Sequence, residues 1–189
     1  MWCGSENYRF IVGMPTYEQK SLNAIIETPM MSRAKYAYDL QSGLFKLKTI
    51  LPAGAVFPYN FGFLPSTKGG EGDPLDVLVM MDATAYPGTL LPSRLIGVIE
   101  AEQTEVENQT ERNDRLIAVA LSCPIYGEMA LLDDLSPRLL DQIEHFFASY
   151  NQMRGKKWQP LGRHGPRRAA RLIEQGRKRF AAEGLAPKS

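Results

Sequence analysis

The residues of this chain with the clearest chemical potential lie together in Glu71-Gly72-Asp73-Pro74-Leu75-Asp76, three carboxylates within six positions. In an extended segment residues 71 and 73 share a face, and a bend at Gly72-Asp73-Pro74 can bring Asp76 round to join them. Clustered carboxylates repel one another, so they make good ligands for a hard cation, and oxygen-only donors of this kind suit magnesium, manganese or calcium. The same residue types also build an ordinary acidic surface turn, because Asp, Gly and Pro dominate turns.

Positioning falls first to the apolar run Val77-Leu78-Val79-Met80-Met81, which follows at once and reads as a buried strand holding the acids at the rim of a scaffold. Further strands are expected at residues 23–27, 33–38, 43–48, 94–103 and 115–122, with residues 39–43 connecting the second and third as a hairpin. Lys35 and Lys46 stand on that hairpin, where each would be a solvent-facing lysine unless other groups point the same way. The aromatic segment at 57–65, broken by Pro and Gly, reads as core and loop packing. Glu105, Glu107, Glu111 and Asp114 mark a solvated loop, with one or two acids able to face a metal. Two helices close the chain. Ser136 is an N-cap with Pro137 at the first helical position, and Leu139, Ile143, Phe146 and Tyr150 share a face. The second helix, after Pro166, sets Ala169, Leu172, Ile173, Gly176 and Phe180 on one side, with Arg167, Arg168, Arg171, Lys178 and Arg179 largely outside it. Short strands followed by terminal helices indicate an α+β domain, a small barrel with helices packed against it.

A chain of 189 residues is expected to form one domain over 1–189, with 1–20 as an arm and 161–189 as a basic C-terminal helix. Its 44% hydrophobic and 23% charged content is ordinary for a globular protein. Two cysteines, Cys3 and Cys123, are too few for a disulfide framework, and His145 and His164 have no metal spacing between them, so a reducing cytoplasm is expected. No apolar stretch approaches a membrane span or a signal peptide. The net charge of +1 conceals an asymmetry: residues 155–189 carry ten Lys or Arg against two Glu. A basic helix on a barrel raises nucleic-acid binding as one reading, and packing of that helix on an acidic domain or subunit as another.

The ordered landmarks resemble the soluble inorganic pyrophosphatases that have a five-stranded, OB-like barrel. They are Ile26-Glu27-Thr28-Pro29, Lys35-Tyr36, Pro58-Tyr59-Asn60-Phe61-Gly62-Phe63, the carboxylate stretch, Pro87-Gly88, Ile96-Gly97-Val98 and Gln142-Ile143-Glu144-His145-Phe146-Phe147 with Tyr150, over about residues 22–160. The resemblance implies a five-stranded barrel with additional strands and two C-terminal helices, and magnesium-dependent hydrolysis of pyrophosphate, with other divalent metals such as manganese as alternatives. It implies Asp73 as the base; Lys35, Arg115 and Tyr150 as phosphate-holding groups; Glu27 as a site carboxylate of less direct role; and Glu71, Asp76 and Asp114 as metal ligands. It also implies a homo-oligomer. The pattern departs from the family at Glu71, Ala37, Thr49, Phe61, Gln103, Asn113 and Asn151. Loss of two cationic donors at Thr49 and Asn151 would cost about 3 to 6 kcal/mol, which predicts activity below the family norm. The alternative expectation is a pseudoenzyme that keeps the fold for binding or assembly.

Overall fold

The computed structural model describes residues 10–70, 72–104 and 109–182. Five strands close on themselves by hydrogen bonding: β2 (Ser21–Thr28), β5 (Asn60–Phe63), β6 (Asp76–Met80), β7 (Leu90–Thr104) and β9 (Arg115–Ala120). β2 pairs with β5, β5 with β6, β6 with β9 and β9 with β7, and β7 returns to β2; β6 and β9 run parallel and the other pairs antiparallel. The ring is the five-stranded barrel that the resemblance implies. β7 makes closure possible through its 15 residues. Its start pairs with β2, its middle with β9, and its far end with β8 (Thr110–Arg112) and β10 (Lys157–His164). β3 (Ala34–Asp39) and β4 (Leu44–Ile50) form a separate hairpin, and β1 (Tyr17–Glu18) extends the sheet beside β2.

The apolar run behind the carboxylates is buried on both faces, as a continuous rather than alternating pattern requires. Val77 and Val79 of β6 pack with Ala24, Leu116 and Ala118 and with Ala169 and Ile173 of α3 (Pro166–Ala182). Leu78 and Met80 face the other way, into a cluster with Leu140, Ile143 and Phe147 of α2 (Pro137–Gln152). α2 starts as its sequence predicts: the Ser136 hydroxyl accepts a hydrogen bond from the Leu139 amide at 3.3 Å, and Pro137 occupies the first turn. A single helical turn, α1 (Phe10–Gly13), precedes β1.

Three differences from the sequence reading have physical reasons. The aromatic segment contains strand β5, because Gly62 lets the backbone of β2 come unusually close; a Cβ there would lie 1.9 Å from the Ile25 carbonyl oxygen. The acidic, irregular segment contributes β8 against the end of β7. Residues 157–164, the first of the expected basic helical segment among them, form β10. Its polar composition hides a strand held by pairing to β7 and by Trp158, which is buried and donates its indole N–H to the Asn113 carbonyl at 3.0 Å.

Candidate active site

A cavity of about 480 Å³ is lined by residues of β2, the β3–β4 hairpin, β5, the carboxylate turn, β7, β9 and α2. Glu27, Lys35, Asp73, Asp76, Arg115 and Tyr150, expected as site residues but separated by up to 123 positions, all line it.

The carboxylate turn is held by backbone geometry. Gly72 takes φ +97°, a conformation that suits glycine, while the Gly69 amide donates to the Asp73 carbonyl at 2.7 Å and the Leu75 amide to the Thr67 hydroxyl at 3.0 Å. The turn leaves the Asp73 carboxylate exposed at the cavity with no hydrogen bond or ion pair among the described residues. Asp76 opens β6 half-buried, and its Oδ2 accepts from Arg115 Nη1 at 2.5 Å.

The hairpin is pinned to the end of β2 by two side chains. The Thr28 hydroxyl accepts from the Tyr36 amide at 3.1 Å and donates to the Tyr36 carbonyl at 3.2 Å, and Glu27 Oε1 accepts from the Tyr38 amide at 2.8 Å. Lys35 is thereby brought 3.4 Å from Glu27 Oε2 and 4.4 Å from the Phe61 ring centroid. Burial pushes the Glu27 carboxyl above the usual carboxylate range, and Lys35 and the Tyr38 amide oppose that rise. Burial likewise raises Tyr150, against the opposing charges of Arg154 and Arg115, so its hydroxyl stays a proton-bearing donor at neutral pH.

Arg115 is buried, with its guanidinium carbon 4.9 Å from the Phe147 ring centroid and 5.8 Å from that of Phe61. One nitrogen, Nη1, donates to three oxygens: Asp76 Oδ2, Asn113 Oδ1 and, at 3.0 Å, the Asp114 carbonyl. Asn113 in turn donates from Nδ2 to Gln103 Oε1 at 2.9 Å, so the two buried amides bond to each other.

The remaining expectations separate. Asp114 does not reach the main cavity; it lines a smaller one of about 190 Å³, where its Oδ1 accepts from the Ala101 amide at 2.9 Å and from Arg112 at 2.7 Å. Glu71 lies outside the described residues. Lys46 turns away to an exposed pair with Asp39 at 2.8 Å. Lys48, Arg154 and Lys156 line the cavity although no sequence argument singled them out. The available signals were the position of Lys48 one strand repeat beyond Lys46, and of Arg154 and Lys156 just past the turn of helix that carries Tyr150. Part of the basic charge near the C-terminus is paired internally: Arg168 with Glu100 at 2.5 Å, Arg163 with Asp141 and Glu144, and Arg177 with Glu174.

The three described cavity carboxylates offer a divalent cation little. Asp76 is engaged by Arg115 and Glu27 by Lys35, Gln103 and Asn113 contribute neutral amides, and no group of three His, Cys, Asp or Glu among the described residues could hold a metal ion. Of the ligands expected for magnesium, Asp76 and Asp114 both serve as arginine partners.

The family model described as inorganic pyrophosphatase matches residues 24–181. The chain is 33% identical over 159 residues to the inorganic pyrophosphatase of Geobacillus stearothermophilus, covering 84% of this chain and 93% of that one. It is 31% identical over 168 residues to the inorganic pyrophosphatase of Helicobacter pylori strain 26695, covering 87% and 94%. Among solved structures, the inorganic pyrophosphatase of Thermus thermophilus superposes with a TM-score of 0.82 at 26% identity, covering 90% of this chain and 98% of that one.

Proposed function

Because this chain belongs to the inorganic pyrophosphatase family, we propose that its main cavity binds inorganic pyrophosphate and hydrolyses it to two phosphates. The family membership makes the chain a hydrolase of a phosphoanhydride bond. The observation that carries the site assignment is the charge of the cavity: Lys35, Lys48, Arg115, Arg154 and Lys156 against Glu27, Asp73 and Asp76. An excess of cations in a partly enclosed space attracts a polyphosphate and offsets charge that develops on its oxygens.

Hydrolysis requires a water to attack one phosphorus while the bond to the bridging oxygen breaks and that oxygen leaves with the second phosphate. Asp73 is the base that takes the water's proton, supported by its exposed carboxylate at the cavity without a competing partner among the described residues. Lys35, Arg115 and the Tyr150 hydroxyl hold phosphate oxygens, and Glu27 positions Lys35. The family implies a divalent metal, which when bound would neutralise the anhydride; the described residues do not fit one.

We further assign the chain to the cytoplasm, on its two cysteines being too few for a disulfide framework, and to a homo-oligomer, on the apolar edge of the hairpin, where Leu44, Leu47 and Ile50 are each more than half exposed. Phosphate release from pyrophosphate by the purified protein, with and without excess magnesium, tests the activity. Turnover is expected to fall about 10²- to 10⁴-fold in Asp73→Asn with the melting temperature unchanged. Wild-type release no faster than that of Asp73→Asn would remove the hydrolytic reading.

A further inference from the structure

We infer that the Arg115 guanidinium takes the place of a divalent cation in this cavity, which therefore binds its phosphoanion free of metal. The inference deepens the pyrophosphate reading and rests on it for the class of ligand.

The three oxygens on Arg115 Nη1 come from a carboxylate, a side-chain amide and a backbone carbonyl, the donor types that surround a hard cation. Here a covalently attached cation occupies their focus. Guanidinium cannot be deprotonated in a protein, so its charge is permanent. The fit is fixed from two further directions. The guanidinium carbon lies 5.8 Å from the Phe61 ring centroid and 4.9 Å from that of Phe147. A metal ion reaching Asp76 would have to displace a buried arginine or sit against its like charge.

The surrounding polar groups agree. At Gln103 and Asn113, where two carboxylates would have added negative charge, buried neutral amides stand instead, Asn113 Nδ2 donating to Gln103 Oε1. Without those charges no second cation is needed. Beyond the Glu27–Lys35 and Asp76–Arg115 pairs, the lining carries Lys48 and Arg154 against Asp73. That balance suits a bare phosphoanion better than one already neutralised by magnesium.

Calorimetric titration with methylenediphosphonate, the non-hydrolysable carbon-bridged analogue of pyrophosphate, tests this in EDTA and again in excess magnesium. Binding in EDTA is expected, no more than threefold weaker than with magnesium. Lys48→Met, at an exposed position of β4, should weaken it about fivefold or more with the melting temperature unchanged, and Arg115→Lys, which keeps a cation, should bind more weakly than wild type while still melting cooperatively. Binding seen only with magnesium overturns the inference. So does stoichiometric loss of the free Mn²⁺ electron-paramagnetic signal on adding wild-type protein when Asp76→Asn abolishes that loss. Phosphate release measured on the same preparations separates the two claims. Release that needs magnesium, together with Mn²⁺ uptake through Asp76, sinks metal-free binding and leaves hydrolysis standing; analogue binding in EDTA without any release sinks hydrolysis and leaves metal-free binding standing.

Discussion

Replacing Lys35 with methionine separates a structural role from a functional one at the same side chain. Lys35 Nζ stands 3.4 Å from Glu27 Oε2, and both side chains are less than 15% exposed. Methionine leaves a buried carboxylate supported by the Tyr38 amide alone. Removing one partner of a fully buried ion pair costs about 3 to 5 kcal/mol, and the retained amide bond reduces this to about 2 to 3 kcal/mol. At roughly 2 to 4 °C per kcal/mol for a chain of this size, the melting temperature at pH 7 should drop by about 4 to 12 °C. Burial already raises the Glu27 pKa above its ordinary value of 4.5 and Lys35 restrains it, so the variant raises it further. A raised carboxyl stabilises the fold below its unfolded pKa and loses that contribution as pH rises through the folded one. The stability gap between wild type and variant should therefore close as pH falls toward 4.5. Adding Glu27→Gln removes the unpaired charge and should recover most of the melting temperature at pH 7. It should not recover turnover, because the lost phosphate contact of about 1.5 to 3 kcal/mol lowers kcat/KM by roughly 10- to 150-fold. Thermal melts across pH and steady-state phosphate release on both variants decide the matter. If the double variant regained wild-type kcat/KM, Lys35 would serve only to neutralise Glu27, and if the single variant melted as wild type at pH 7, the pair would carry no stability.

Glu100, buried and bonded to Arg168 and Arg112, has its pKa lowered from 4.5 to about 2, first by the Arg168 hydrogen bond. A depressed carboxyl stabilises the fold above its unfolded pKa and loses that contribution as pH falls through the folded one. After solvent screening of the two partly exposed arginines, about 1 to 2 kcal/mol should be lost between pH 4.5 and 2, and Glu100→Gln should be less stable at pH 7 and lack that loss in a pH series of denaturant melts. Gly62→Ala drives a Cβ into the Ile25 carbonyl between β5 and β2, so it should cost more than about 3 kcal/mol or prevent soluble expression; a variant melting within 2 °C of wild type would refute the close approach, on the scale of roughly 1 kcal/mol.

Much of the scaffold was legible along the chain. The continuous run at 77–81 matches a strand buried on both faces, Ser136-Pro137 places the start of α2, and the apolar period after Pro166 places α3. The strands that escaped notice are those whose reason is a neighbour. β5 depends on the missing Cβ at Gly62 beside β2, and β10 on a single buried tryptophan and a partner strand.

Residue types and order by themselves determined that a cluster of acids sits at the end of a buried strand, and the resemblance carried by the ordered landmarks implied that Lys35, Arg115 and Tyr150 belong with it. They also exposed the neutral residues at 103 and 113. Only the tertiary structure decided what these differences add up to. Barrel closure carries Arg115 from β9 to Asp76 on β6, and the pairing at the end of β7 sets Gln103 against Asn113. Asp114, next in the chain to Arg115, turns instead to Arg112. Asp114 lies in the short connection between β8 and β9, and an ion pair depends on distance through space, so the sequence could name the charged groups while the fold chose their partners.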